Sequence, residues 1–311
     1  MEGFCMNKIF EEYAIQLKNQ KLFETEDIYQ KHFPEFVPFF QKHFQETCEN
    51  IIKMQKAGRL GEISYLEYTL LYTNMLQKKE TAEVRVYDNN WYFGDKQQIV
   101  NEFDFSVLFT KYHELSSELM AYRKRFAGKS SSQEVQSFLF SCIRPFYCYI
   151  ISIFRYSILP CINKEPFLSI QRTDKFEINI GEYMGYTEAI YKENKKRTSE
   201  DSLAWFSLRR EFEYAFEDFS DLDFTGADLS GAKFIAAEAH AGVPNHNKWI
   251  ITGYQRVSFR NACLKKADFQ RTYIQDSDFT GAVMDGALFQ QSQLTHFELS
   301  PEQMKVINIV S

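Results

Sequence analysis

The chain lacks the short motifs that carry most enzyme chemistry. It has no phosphate-binding glycine loop, no G-x-S-x-G elbow, no H-E-x-x-H helix and no Cys-x-x-Cys pair. Its six cysteines, Cys5, Cys48, Cys142, Cys148, Cys161 and Cys263, show no paired zinc spacing and read as reduced and mostly buried. No basic-then-apolar leader opens the sequence. The greasiest segment, 137–160, is broken by Arg144 and Arg155, and its charge-free run is 10 residues. A bilayer asks for about 20, so a buried core helix is expected, no membrane span, and a cytoplasmic protein. A basic excess is also missing: the net charge is −6, and residues 211–311 carry all of it, with 8 Lys/Arg against 14 Asp/Glu. Direct nucleic-acid binding needs a basic footprint, so none is expected, whereas a basic protein surface is a fitting partner. The one compact basic run, Arg123-Lys124-Arg125, reads as a solvated helix end.

Aromatic residues are abundant instead: 30 Phe and 18 Tyr in 311 residues, enough for large cores in two domains. Residues 1–198 are expected to form a mainly α-helical domain with short hairpins. Phe10, Tyr13, Ala14 and Leu17 predict a first helix over 1–20. Pro34 and Pro38 punctuate an aromatic segment, and a second helix carrying Phe40, Phe44, Cys48 and Ile51 stops at Gly58. Ser64 with Glu67 matches a capping box and predicts a third helix. Ala82–Gly94 predicts a hairpin with Trp91-Tyr92-Phe93 on the return strand. Phe105–Phe126 keeps helical spacing for five turns, and Ser131 with Glu134 caps an apolar helix over 134–159 containing Pro145. Leu168–Ile180 predicts a second hairpin turning at 172–175, and 192–201 a polar linker.

Residues 199–311 follow another rule. Phe219, Phe224, Leu229 and Phe234 stand five apart, and so do Phe259, Leu264, Phe269, Ile274, Phe279, Met284, Phe289 and Leu294. Small residues such as Ala227, Ala262, Ala267 and Ala282 sit two before these centres, and Asp218, Asp223, Asp228, Asp268 and Asp278 one before. Neither a helix nor a flat strand has a period of five, so the pattern points to a solenoid. A solenoid needs its ends covered. Residues 202–216 predict a helix capping one end. Ser300-Pro301 starts another over 301–309, whose Met304, Val306, Ile307 and Ile309 plug the other end or join two copies as a homodimer.

This stretch resembles the pentapeptide-repeat family, whose unit is a small residue, Asp or Asn, Leu or Phe, and two variable positions. The resemblance implies a right-handed quadrilateral β-helix of three to four coils, with the whole chain an α+β protein. Between 239 and 259 the signal fades for 20 residues, one coil. Pro244, Trp249 and Tyr254 take the centre positions, and turn residues surround them, so at least part of 239–252 is expected to leave the stack as a recognition loop. His240 and His246 lie there without the further ligands zinc would need, so no metal or cofactor is expected.

The resulting interaction surface comprises Asp218, Asp223, Asp228, Asp268 and Asp278 with Asn245, His246, Lys248 and Trp249. Three readings follow. The first is a non-enzymatic adaptor whose acidic repeats dock a protein. The second is a DNA mimic that binds a type II topoisomerase such as gyrase, as the resemblance allows. At about 4.8 Å per layer, three or four coils make roughly 15–19 Å, a match to about five base pairs. The third is a ligand-binding or catalytic helical domain carried on a rigid handle.

Overall fold

The structure, a computed structural model, describes residues 8–310 apart from 78, 95–96, 127–129, 159, 209–213, 215, 235–256 and 275–276. Its N-terminal part is helical, with a five-stranded sheet against the helices. Helix α1 (Lys8–Lys56) is continuous where the sequence predicted two helices, and Pro34 and Pro38 lie inside it. An internal proline costs about 3 kcal/mol of helix stability. The buried face continues through them, from Tyr29 to Phe36, Phe40, Phe44, Cys48 and Ile51, and tertiary packing overrides the break.

Strand β1 (Ile63–Leu70) replaces the expected third helix. Leu66, Tyr68 and Leu70 alternate toward the helices, while Glu67 points to the opposite face, as the strand period of two requires. After the short helix α2 (Tyr72–Leu76), β2 (Thr81–Tyr87) pairs antiparallel with β1. Its return strand is β3 (Gln98–Asp104), not 91–93. Trp91–Phe93 form one 3-10 turn, folded back over the sheet. There the Trp91 Nε1 donates to Glu67 at 2.7 Å and the Tyr92 hydroxyl donates at 2.8 Å. Trp91 also stacks on Tyr65 at 5.2 Å. Burial pushes the Glu67 carboxyl above its ordinary range, and these two donors partly offset it.

Helix α3 (Ser106–Arg123) and helix α4 (Ser132–Ile158) complete the helical layer. The α4 cap is as expected: Ser131 Oγ accepts from Glu134 N at 3.1 Å, and the Glu134 carboxylate takes Ser131 N. By length and composition α4 could cross a membrane, yet 78% of its most apolar window is buried inside the fold.

No turn occurs at 172–175. Strand β4 (Arg172–Glu182) runs straight through and lies parallel to β1, and β5 (Thr187–Asn194) pairs antiparallel with it. The sheet order is β3-β2-β1-β4-β5, one sheet in place of separate short hairpins. The polar stretch 192–201 is shared between the end of β5 and the start of α5 (Ser199–Ser207), which Thr198 caps by accepting from Asp201 N at 3.0 Å.

From residue 216 the chain changes character. Asp218, Asp223 and Asp228 bridge in parallel to Ser258, Cys263 and Asp268, and these bridge to Asp278, Val283 and Leu288. Strands β6 (Lys233–Phe234) and β7 (Tyr273–Ile274) form a fourth row. The later step is twenty residues, or four pentapeptides. The earlier step is forty, so the layers on either side of the interruption bond directly, with Phe219 N donating to Ser258 O at 2.8 Å. The expected loop itself lies outside the described residues.

The centres fill a second core, separate from that of the sheet and helices. Phe206 of α5 closes one end against Phe219, Phe224 and Phe234, as predicted for a cap, although the helix ends at Ser207. At the other end, β8 (Leu288–Gln290) leads into a 3-10 turn, and Phe297 packs on Phe279 and Phe289. Helix α6 (Pro301–Val306) is shorter than predicted, and β9 (Asn308–Val310) follows it. Phe297 and Ile307 are the plug, while Met304, Val306 and Ile309 are exposed. Strand β9 pairs in parallel with β8, Leu288 opposite Asn308, so the twenty-residue step continues through the cap.

Candidate functional site

The aspartates of the repeats have a local job. In each case Oδ1 accepts the amide two residues on: Ser220 N for Asp218 at 3.0 Å, Thr225 N for Asp223 at 2.9 Å, Ser230 N for Asp228 at 3.0 Å, Gln270 N for Asp268 at 2.8 Å and Thr280 N for Asp278 at 3.0 Å. The hydroxyls of Ser220, Ser230 and Thr280 donate to the same oxygens. This is the Asx turn, which short acidic side chains form with their own backbone. The following residue then enters the left-handed region: φ is 62° at Asp221, 69° at Gly226, 71° at Gly231, 60° at Arg271 and 73° at Gly281. Each of these five pentapeptides therefore turns a corner with one carboxylate oxygen committed. The signal was present in the sequence as Asp followed two positions later by Ser or Thr, at 218, 223, 228 and 278.

The five carboxylates do not share one face. Asp218 and Asp278 belong to one row, Asp223 to a second, and Asp228 and Asp268 to a third, where they are direct bridge partners. Asp223 and Asp228 are exposed, while Asp218 and Asp268 are half-buried. Hydrogen bonds from Thr225 hold the Asp223 carboxyl below its ordinary value. Asp278 corrects the expectation of an outward lattice: it is only 7% exposed, and its Oδ2 lies 3.5 Å from Arg260. Asn245, His246, Lys248 and Trp249 lie outside the described residues.

One acidic residue that sequence reasoning missed is Glu217. It is buried where the repeats meet the N-terminal part, and it binds Lys192 at 3.2 Å and Arg197. Arg197 also lies over the rings of Trp205 and Phe219, and Arg155 over Phe216 at 4.6 Å. No motif marks this junction, because Glu217 lies 20 residues from Arg197 and Phe216 lies 61 from Arg155 in sequence.

A family model for pentapeptide repeats matches residues 255–296, in eight copies. These residues are pentapeptide repeats. Pentapeptide repeats imply a β-helical solenoid, and the parallel rows fit that architecture. The earlier units centred on Phe219, Phe224, Leu229 and Phe234 lie outside the match but bond to the matched ones in the same register. The N-terminal part matches no family model. No curated protein and no solved structure matches the chain.

Proposed function

We propose that this chain is a non-enzymatic, protein-binding scaffold whose pentapeptide repeats dock a basic protein surface. On this reading the repeats wind as a right-handed quadrilateral β-helix of three to four coils, and the twenty-residue step supports it. The observation that carries the function is the pinning of the aspartates. Each is fixed by its own turn, so a partner meets carboxylates whose positions are already set. Ordering side chains on binding costs about 0.5–1.5 kcal/mol each, and pre-set carboxylates avoid part of that cost. The carboxylates occupy three rows, which suits a partner that wraps more than one face.

Asn keeps a side-chain oxygen for the turn and removes the charge. A chain with Asp218, Asp223, Asp228 and Asp268 all changed to Asn should therefore keep its circular dichroism. It should also lose the proteins that the unaltered chain enriches from its host's lysate. Enrichment of the same proteins by both chains would sink the docking reading. Recovery of gyrase or a related topoisomerase, dependent on the four charges, would favour DNA mimicry over a general adaptor.

A further inference from the structure

We infer that the cleft between the N-terminal part and the repeats binds a small organic anion with an apolar body. The cleft encloses about 410 Å³, within the roughly 300–1,000 Å³ usual for small-molecule sites, which favour junctions between structural units. Both sides build it. Pro160, Ile162 and Lys164 come from the segment after α4 and Tyr191 from β5, while Phe216 and Arg260 come from the repeat side. Pro160, Ile162, Tyr191 and Phe216 give the cleft an apolar and aromatic side, and Asn163, Ser258, Glu217 and Asp278 join the two cations on its polar side.

The charges decide which ligand fits. Glu217 is neutralised by Lys192 and Arg197. Asp278 faces Arg260, and its other oxygen is held by its own turn. Lys164 lines the cleft without a carboxylate within ion-pair distance among the described residues. Both acids of the lining thus already face a cation, and Lys164 is the lining cation left without a carboxylate among the described residues. Arg260 is also held loosely, at 3.5 Å and with its side chain 37% exposed, so part of its donor fork remains available. A carboxylate, phosphate or sulfonate between Lys164 and Arg260 would match that charge, and its hydrocarbon part would lie against Phe216, Ile162 and Pro160. Because the walls belong to both parts of the chain, such a ligand would also tie them together, and its binding would raise the thermal midpoint by mass action. This inference does not rest on the docking reading, since the Asn variants above leave Lys164 and Arg260 intact.

The test uses the full chain and 8-anilinonaphthalene-1-sulfonate, a monoanion with an aromatic body. Fluorescence titration should show one saturable site. Lys164→Glu should weaken it about tenfold or more, by placing a like charge beside the anion. Lys164→Met, which keeps the apolar stem, should weaken it less, and Lys266→Glu, a reversal elsewhere on the repeats, should leave it unchanged. Displacement by 4-phenylbutyrate in preference to phenyl phosphate would mark a carboxylate site, and the reverse order a phosphate site. Unsaturable binding, displacement by neither compound, or equal affinity in the Lys164 and Lys266 variants would overturn the inference.

Discussion

The two cores solve the same packing problem with different geometry. In the sheet-and-helix core, Phe40, Phe103 and Phe154 meet at interplanar angles of 62°, 72° and 69°. These rings come from three elements far apart in sequence, and each finds its own edge-to-face contact. Among Phe259, Phe269, Phe279 and Phe289 of the repeats the angles fall into two sets. Rings one step apart along the stack are nearly parallel: 4° for Phe259 and Phe279, 9° for Phe269 and Phe289. Rings within one layer are perpendicular: 90° for Phe259 and Phe269, 89° for Phe279 and Phe289. Translation by twenty residues copies one solution. The N-terminal core has no such symmetry, and every contact there is separately specified.

The sharpest way to break this comparison is to remove one ring from the stack. Phe259 touches Phe219 and Phe279 on its two sides and Phe234 and Phe269 besides. Phe259→Ala should cost about 3–5 kcal/mol. In a stack where layers contact only their neighbours, the loss should stay within the repeats. Hydrogen exchange should rise over residues 217–234 and 257–274 and remain low in β1–β5. An equal rise in both would mean that the junction at Glu217 couples the two cores into one cooperative unit.

A smaller effect is expected at Glu67, the buried acid of the other core. Glu67→Ala leaves Trp91 Nε1 and the Tyr92 hydroxyl without their acceptor, at a cost of about 2 kcal/mol, within the 1–3 range for an orphaned buried donor. The Glu67 carboxyl is raised in the folded state, so the native chain holds its proton to higher pH than the unfolded chain does. Its contribution is fully present below the unfolded carboxylate range and is lost as pH rises through the folded value. Urea unfolding of the Glu67→Gln variant should therefore depend less steeply on pH above the ordinary carboxylate range. An unchanged slope would show that Glu67 does not titrate in that window.

Two changes at the repeat corners should move stability in opposite directions. A Cβ at Gly281 would clash with the Asn261 side chain, and φ there is 73°. Gly281→Ala should lower stability by about 1–2 kcal/mol, the usual cost of the left-handed region for a residue with a Cβ. Lys266 holds the equivalent corner at φ 56°. Lys266→Gly should raise stability by up to about 1 kcal/mol, offset in part by the freedom glycine adds to the unfolded chain. Thermal melts of both variants check the pair, and a loss of stability in Lys266→Gly would show that its side chain packs usefully on the next layer.

Much of the repeat was legible because its information is local and periodic. The spacing of Phe219, Phe224 and Leu229 names the inward positions, and the structure buries all three. The role of Asp218, Asp223, Asp228 and Asp278 is equally local, written in the hydroxyl two residues on, and it is more than surface charge. The N-terminal part was legible only where a local signal had a single meaning, as at Ser131 and Glu134. Ser64 and Glu67 have the same spacing, but they lie in a strand, because Leu66, Tyr68 and Leu70 alternate against the helices and Trp91 and Tyr92 satisfy the acid. The prolines of α1 misled for the same reason: their cost is local and is outweighed by a buried face that only the folded chain assembles.

The sequence alone thus determined the register of the repeats, the inward rings, the cap at Phe206 and the location of the acidic excess. A short period repeats its message often enough to overcome local ambiguity. The tertiary structure decided the five-stranded sheet, the burial of Asp278, the direct bonding of layers across the interruption, and the cleft at Lys164. Each of these depends on residues tens of positions apart, brought together by the burial of apolar surface, and that pairing is written in no local pattern.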